Sequence, residues 1–151
     1  MLRILAVLAA AFLVTAPALA TEQTDAMAAA KQFVDGFNKG DIKSAVAACA
    51  DQTSIIDDFA PHHWNGPGAC AKWADDFGAF AKASGVTDGV VTLGKARHVD
   101  VTGDRAYIVS PAIFAYKLKG KPVKEGGATF TFALQKGATG WRIVGWTWAK
   151  G

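Results

Sequence analysis

The sequence has few charged residues, only two cysteines and no apolar run long enough to span a membrane. Charged residues make up 19% and apolar residues 51% of the 151 residues, which excludes a disordered tail and a multidomain assembly. After residue 20, no segment approaches the roughly 18 uninterrupted apolar residues of a membrane helix. The formal net charge is only +3 and is spread along the chain, which argues against nucleic acid as a partner. We therefore expect one compact domain without stable membrane insertion.

Motifs that mark several common classes of enzyme are also missing. No glycine-rich phosphate-binding loop occurs, and no serine or cysteine lies in the context of a hydrolase nucleophile. No CxxC pair is present, which disfavours a redox or metal role for the cysteines. We therefore expect a protein that needs no cofactor.

The first 20 residues have the pattern of a secretory signal peptide. They contain a single charged residue, Arg3, followed by an apolar run from Ile4 to Val14, and they end in Ala18-Leu19-Ala20. That ending is a small-x-small cleavage site. Cleavage after Ala20 predicts a mature chain of residues 21–151 that is exported, either to the periplasm or out of the cell.

The two cysteines, Cys49 and Cys70, have two interpretations. Disulfides persist in exported proteins, and one that closes a loop of about 20 residues contributes about 3 kcal/mol. Alternatively, each cysteine is a small buried apolar residue on a helical face, since the sequence cannot show that their Cα atoms lie within about 7 Å. The sequence leaves both interpretations open.

The first half of the mature chain has helical periodicity, with apolar residues three or four positions apart. The patterns predict a first helix over about 24–38, a second from Asp41 to near Ala50, a brief strand over 53–57, a loop of about eight residues from Asp58, and a third helix from Cys70 to Ser84-Gly85. Thr24 is the expected N-cap of the first helix, and Gly40 its stop.

From Gly89 the period of the apolar residues changes to two. Four strands in a meander are predicted, at about 89–101, 105–117, 125–136 and 141–149. In the last strand Trp141 and Ile143 alternate with Trp146 and Trp148, so large aromatic groups are expected on both faces. Pro111 cannot donate a ladder hydrogen bond, which predicts a bulge or an unpaired side there.

Three helices followed by a long curved antiparallel sheet make an α+β plan with a pocket on the concave side. This order of elements, with the segments Phe37-Asn38-Lys39-Gly40-Asp41, Ala50 to Asp57 and Gly140-Trp141-Arg142-Ile143, resembles the nuclear transport factor 2-like superfamily, and within it the SnoaL-like domains. The likeness covers about residues 24–149, so we interpret residues 21–151 as one SnoaL-like domain. It implies a cone-shaped fold in which three N-terminal helices pack on the sheet, a deep apolar pocket and, frequently, a homodimer.

The same resemblance allows a comparison with the ketosteroid isomerases of this superfamily. It implies an aspartate base at the end of the first strand, where Asp57 stands. The two oxyanion donors of those enzymes, a tyrosine and a protonated acid, are replaced here by Phe33 and Ala128. Because neither side chain can donate a hydrogen bond, steroid isomerisation is not expected. A cyclisation or dehydration would need another donor in the cavity, such as Tyr107, Tyr116 or Trp146.

The densest set of polar functional groups consists of Asp57, Asp58, His62, His63 and Trp64. In a catalytic interpretation, apolar walls raise the pKa of Asp57 until it acts as a base, and His62 or His63 transfers protons. In a structural interpretation, the aspartates brace the loop through bonds to its backbone. A divalent metal site is disfavoured, because adjacent histidines on an extended segment point in opposite directions. No metal is expected.

Aromatic side chains are the candidates for lining the pocket, and we take Trp64, Tyr107 and Trp146 as candidate ligand-binding residues. Tyr107 and Tyr116 lie nine residues apart in one strand, so only one of them is expected to face the cavity. The lysines around Gly120 are interpreted as a solvated hairpin tip. Glu125, beside them, is expected either to reach the mouth of the pocket or to pair with the neighbours of Lys124.

These patterns favour an exported SnoaL-like domain that binds a small apolar or aromatic molecule. One alternative is a cofactor-independent isomerase, cyclase or dehydratase with Asp57 as general base and His62 assisting. Another is a protein-interaction module of the cell envelope, which predicts a flat apolar patch and a filled cone. A cavity smaller than about 300 Å³ would remove both pocket hypotheses.

Overall fold

The computed structural model describes residues 16–151, with side chains from residue 19 onward. Within this range the helices are α1 (Ala16–Lys39), α2 (Ile42–Ala47) and α3 (Ala69–Ser84), and the strands are β1 (Cys49–Ile56), β2 (His63–Pro67), β3 (Val86–Leu93), β4 (His98–Thr102), β5 (Arg105–Leu118), β6 (Lys121–Gly137) and β7 (Gly140–Ala149). Of the predicted signal segment 1–20, residues 1–15 lie outside the described residues. None of the helices in the described range is long and apolar enough to cross a bilayer.

The strands form one sheet in the order β2-β1-β7-β6-β5-β3, and β4 pairs with the part of β5 that β3 leaves free. All neighbours are antiparallel except β1 and β7, which run parallel. The helices pack on one face of this curved sheet. The predicted α+β architecture, with three helices preceding the long strands, is therefore confirmed.

Two helix boundaries differ from the prediction. Within the described residues helix α1 extends back to Ala16, because the alanine-rich segment before Thr24 also favours helix. The Thr24 hydroxyl donates to the Ala20 carbonyl at 2.8 Å inside the helix and is not its N-cap. Helix α2 ends at Ala47, and Cys49 already belongs to β1. Pairing of Cys49 with Ile143 of β7 outweighs the helical pattern of that short segment.

The strand prediction missed one strand and merged two others. The segment taken as a loop contains β2, an edge strand that pairs with β1 from Ile56↔His63 to Gln52↔Pro67; an edge strand tolerates proline and glycine. The predicted strand 89–101 is divided into β3 and β4. The Gly94 amide donates to the Pro111 carbonyl at 2.8 Å in the gap between them. Pro111 therefore lies opposite the gap between β3 and β4. Among the described residues, no strand is present there to accept a hydrogen bond from a backbone N–H, which proline lacks.

A bulge in β7 decides which tryptophans face the helices. Leu134 pairs with Ile143 and Ala133 with Gly145, so Val144 is an extra residue. An extra residue reverses the alternation of the side chains that follow it. Trp141 and Trp146 are consequently both buried. The expectation that large aromatic groups occupy both faces of this strand is wrong.

A second bulge lies in β6 at Gly126-Gly127. Ala112 pairs with Ala128, whereas Phe114 pairs with Glu125, so β6 has one residue more than β5 between these pairs. Gly127 adopts φ +81°, a conformation that favours glycine. The bulge places Glu125 on the same face as Ala128 and the aromatic residues that follow it.

Cys49, at the start of β1, and Cys70, in the first turn of α3, form a disulfide in the structure, with their Cα atoms 6.5 Å apart. The sequence interpretation that placed both cysteines on helical faces is wrong for Cys49, which lies on a strand. The bond links α3 directly to the sheet. It thereby holds in place one wall of the cavity described below.

Candidate functional site

A cavity of about 480 Å³ lies between the helices and the concave face of the sheet, and aromatic rings cover most of its wall. The helices contribute Phe33, Phe37, Trp73, Phe77 and Phe80. The sheet contributes Phe114, Tyr116, Phe130, Trp146 and Trp148. The cavity exceeds the size of about 300 Å³ at which useful small-molecule sites begin. The filled cone that a pure interaction module predicts is therefore not what the structure has.

The aromatic rings of the wall pack against one another. The ring of Trp146 lies edge-on to that of Trp73, with the centroids 4.9 Å apart. The ring centroid of Phe33 lies 5.6 Å from that of Trp73 and 5.5 Å from that of Trp146. Edge-to-face and tilted contacts at these distances are favourable arrangements for aromatic rings. The cavity wall is therefore formed by side chains that support one another.

Asp57 is the carboxylate set into this wall, directly after β1. Its Oδ2 accepts a hydrogen bond from Trp73 Nε1 at 2.8 Å, and its Oδ1 accepts one from the Asp58 amide at 2.7 Å. Burial raises the pKa of Asp57 to about 6, and the bond from Trp73 opposes part of that rise. A carboxylate with this pKa is mostly ionised at neutral pH and can still accept a proton there.

Three further charged side chains lie at the opening of the cavity. Lys150, just after β7, has its Nζ 3.3 Å from Asp58 Oδ2 and 3.5 Å from Glu125 Oε2. Tyr116 donates its hydroxyl to Glu125 Oε1 at 2.8 Å. This bond raises the pKa of Tyr116, and the contact with Asp58 raises the pKa of Lys150. The opening is thus rimmed by a connected group of side chains from four parts of the chain.

The histidines lie apart from this group. The Nδ1 of His62 is 3.2 Å from the backbone carbonyl of Asp57, not from its carboxylate. His63 Nε2 is 3.3 Å from Ser54 Oγ. Both rings are exposed, and neither is part of the cavity wall. The structure therefore does not bring His62 to the carboxylate that it was expected to assist. Residues 16–151 also contain no group of three or more His, Cys, Asp or Glu side chains placed so that it could hold a metal ion.

Of the three aromatic candidates, Trp146 lines the cavity and Trp64 and Tyr107 do not. Trp64 is buried outside the wall, where its Nε1 donates to Asp76 Oδ2 at 2.8 Å and its ring packs on Phe59. Tyr107 is 48% exposed on the outer face of β5. The expectation that these two residues line the pocket is therefore wrong.

Strand parity explains the error for Tyr107. Side chains alternate along β5, and Tyr107 shares its face with the charged residues Arg105 and Lys117. Tyr116 has the opposite parity and faces the cavity. The charged residues of this strand are the signal that distinguishes the two tyrosines. For Lys150, one residue from the end of the sequence, no local pattern indicates a place in the site.

The structure also shows where Phe33 and Ala128 lie, the two residues at the expected positions of the oxyanion donors. Phe33 is part of the cavity wall, and Ala128 is buried on β6. Neither offers a donor. The indole Nε1 of Trp146 is buried and has no hydrogen-bond partner among the residues that the structure describes. Because this nitrogen is fully buried, it is not an exposed donor of the cavity surface.

Comparisons with known proteins identify the fold. No protein-family model matches the chain, and no curated protein matches it in sequence. Among solved structures, an NTF2-like protein with a cystatin-like fold from Novosphingobium aromaticivorans superposes with a TM-score of 0.71 at 18% identity, over 89% of this chain and 84% of that one.

Two further structures are similar over most of their length. A ketosteroid isomerase-like protein from Erwinia carotovora atroseptica has a TM-score of 0.67 at 22% identity, over 85% of this chain and 95% of that one. A nuclear transport factor 2 (NTF2-like) superfamily protein from Salmonella enterica serovar Typhimurium has a TM-score of 0.72 at 17% identity, over 87% and 92%. The chain therefore has the nuclear transport factor 2-like fold, as the resemblance predicted.

Proposed function

We propose that the protein binds a small apolar or aromatic molecule in the cavity between its helices and the concave face of its sheet. The observation that carries this proposal is the distribution of groups around about 480 Å³ of space, with aromatic rings along the wall and charged groups at the opening. Small-molecule sites typically combine a mostly apolar lining with a few polar groups that orient the ligand. With the signal segment predicted over residues 1–20, we propose that binding takes place after export. The homodimer implied by the resemblance stays a prediction.

The five tryptophans provide an internal test of this proposal. Trp73, Trp146 and Trp148 line the cavity, whereas Trp64 and Trp141 are buried elsewhere. Each has an indole N–H that gives a separate signal in a ¹⁵N-correlated NMR spectrum. We expect titration with tryptophol, a neutral aromatic alcohol, to shift the signals of the cavity tryptophans and to leave those of Trp64 and Trp141 in place.

Saturable shifts confined to the cavity tryptophans support the proposal. Shifts that are equal for all five tryptophans, or the absence of saturable shifts up to the solubility of the probe, contradict it. Because Trp64 and Trp141 belong to the same molecule but lie outside the cavity wall, their signals control for changes in pH or solvent during the titration.

A second candidate function is proton abstraction by Asp57. The observation that favours it is a carboxylate that faces an aromatic cavity and whose pKa burial raises to about 6, close to the pH at which a general base works well.

Hydrogen exchange into a ketone tests this second candidate without knowledge of the natural substrate. We expect the protein to accelerate deuterium uptake at the α-carbon of β-tetralone in D₂O, followed by NMR. Asp57→Asn should abolish the acceleration, because the amide cannot accept the proton. Asp75→Asn, which changes an exposed carboxylate outside the cavity wall, should leave it intact. Equal rates for wild type and Asp57→Asn would exclude the catalytic candidate while leaving ligand binding untouched.

A further inference from the structure

The net charge of the cavity wall is opposite in sign to that of the whole protein. The charged residues of the cavity wall in the described range are the carboxylates Asp57, Asp58 and Glu125 and the ammonium of Lys150. Fully ionised, they leave a net charge of −2, whereas the chain as a whole carries +3. The negative potential is therefore a local property of the site, and it favours a positive group at the opening.

The hydrogen-bonding capacity left at this end of the cavity consists mainly of acceptors. The Tyr116 hydroxyl is committed to Glu125, and the Trp73 indole is committed to Asp57. The Lys150 ammonium is shared between two carboxylates. Each carboxylate has about four lone-pair positions, and the bonds named here fill only part of them. A ligand group that meets this end must therefore donate hydrogen bonds.

Aromatic rings adjoin these carboxylates. The ring of Tyr116 stacks on that of Phe114, with centroids 4.8 Å apart, and its hydroxyl contacts Glu125. Trp73, bonded to Asp57, stacks on Phe77 with centroids 5.6 Å apart. Aromatic faces attract organic cations through the ring quadrupole, and the attraction is stronger where water is excluded. The opening thus offers both ring faces and negative charge to a cationic group.

We infer that the molecule held in the cavity is an organic amine, with an apolar or aromatic body against the ring-lined wall and a protonated nitrogen among Asp57, Asp58 and Glu125. This inference rests on the proposed binding function and names the chemical class of its ligand. An anionic ligand of the same shape would meet three carboxylates. A neutral ligand would fill the apolar volume and leave the negative charge uncompensated.

Three compounds with the same indole body test the inference: tryptamine, a cation; tryptophol, a neutral alcohol; and indoleacetate, an anion. Calorimetric titration at neutral pH and low salt should rank their affinities in that order, with tryptamine about tenfold tighter than tryptophol. Tryptophol binding at least as tightly as tryptamine would overturn the inference and leave the binding function standing. Binding of none of the three would contradict the binding function itself.

Two variants of the opening should change the preference in opposite directions. Glu125→Gln removes one negative charge and keeps an oxygen that can accept the Tyr116 hydroxyl, so we expect the advantage of tryptamine over tryptophol to fall severalfold. Lys150→Met removes the competing ammonium, so the same advantage should rise. Asp75→Asn, outside the wall, should change neither affinity. An unchanged ratio in both Glu125→Gln and Lys150→Met would contradict the placement of the cation at the opening.

Discussion

Trp73 Nε1 donates a hydrogen bond of 2.8 Å to Asp57 Oδ2 and thereby couples the aromatic wall of the cavity to the buried carboxylate. The bond acts against the burial of Asp57, because it stabilises the ionised form while desolvation destabilises it. Burial has the larger effect, so the pKa of Asp57 lies at about 6. The balance between these two effects makes the ionisation of the site sensitive to one indole N–H.

Removing that N–H should raise the pKa of Asp57 further. In Trp73→Phe the ring remains to fill the wall, but the donor to Oδ2 is lost, so we expect the pKa to rise above 6. Carbon NMR titration of the labelled aspartate carboxyl groups measures it directly. Trp64→Phe is the matched control, because Trp64 donates to Asp76 and lowers the pKa of that residue. That variant should raise the pKa of Asp76 and leave Asp57 unchanged. An unaltered Asp57 titration in Trp73→Phe would contradict the assignment.

The raised pKa also predicts how stability depends on pH. Between about pH 4, where an unfolded aspartate titrates, and pH 6, the folded protein binds more protons at Asp57 than the unfolded chain does. The contribution of Asp57 to the free energy of unfolding is therefore largest below about pH 4 and falls as the pH rises through 6. The loss is at most about 3 kcal/mol, the equivalent of a pKa change from 3.8 to about 6.

Asp57→Asn isolates this contribution, because the amide does not titrate and its oxygen still accepts from Trp73. Urea unfolding of wild type and variant at about pH 4 and pH 7 gives the difference in stability at each pH, in which the other titrating groups largely cancel. We expect wild type to lose stability relative to the variant between the two conditions. A difference that does not vary with pH would show that the pKa of Asp57 is the same in the folded and unfolded states.

The disulfide should contribute substantially to stability. The bond between Cys49 and Cys70 joins residues 21 positions apart in the sequence. In the chain-entropy account, losing a bond that closes a loop of this length lowers the free energy of unfolding by about 3 kcal/mol. We expect Cys49→Ala/Cys70→Ala to unfold at a lower denaturant concentration than the oxidised wild type. Reduction of the wild-type protein should have an effect of similar size. A midpoint unchanged by both treatments would mean that the bond does not form in solution.

The bulge at Gly127 gives a prediction with a control in the same strand. Gly127 has φ +81°, so an alanine there is strained by roughly 1–2 kcal/mol. Gly137 has no positive φ and open space around its Cα, so Gly137→Ala should be nearly neutral. Denaturant unfolding of the two variants compares these values. Equal stability of both variants would argue that the backbone at Gly127 is not held in this conformation.

The bulges also show why part of the site was accessible from the sequence and part was not. Alternation alone places Ala128, Phe130, Phe132 and Leu134 on one face of β6, and the structure buries all four. Alternation fails across the bulges at Val144 and Gly126-Gly127, because an inserted residue reverses the parity of the side chains on one side of it relative to those on the other. The position of an insertion depends on the register with the neighbouring strand, which one strand's sequence does not contain.

Asp57 and Lys150 illustrate the same limit within the site. Asp57 follows an apolar strand segment and stands where the resemblance implies a base, so its place could be predicted. Lys150 reaches the opening only because β7 runs parallel to β1 and ends beside the loop that follows β1. Such a contact between distant parts of the chain follows from sheet order. Neither Lys150 nor Asp58 lies in a local sequence pattern that indicates this contact.

The cavity claim is tested most directly by two adjacent valines of β3. Val91 lines the cavity, whereas Val90 is 44% exposed on the opposite face. Tryptophol should bind wild type and Val90→Trp with the same affinity, measured by calorimetry, and Val91→Trp about tenfold or more weakly, because the larger ring occupies the ligand's volume. Undiminished binding to Val91→Trp, alongside a folded spectrum, would contradict the claim that this cavity is the binding site.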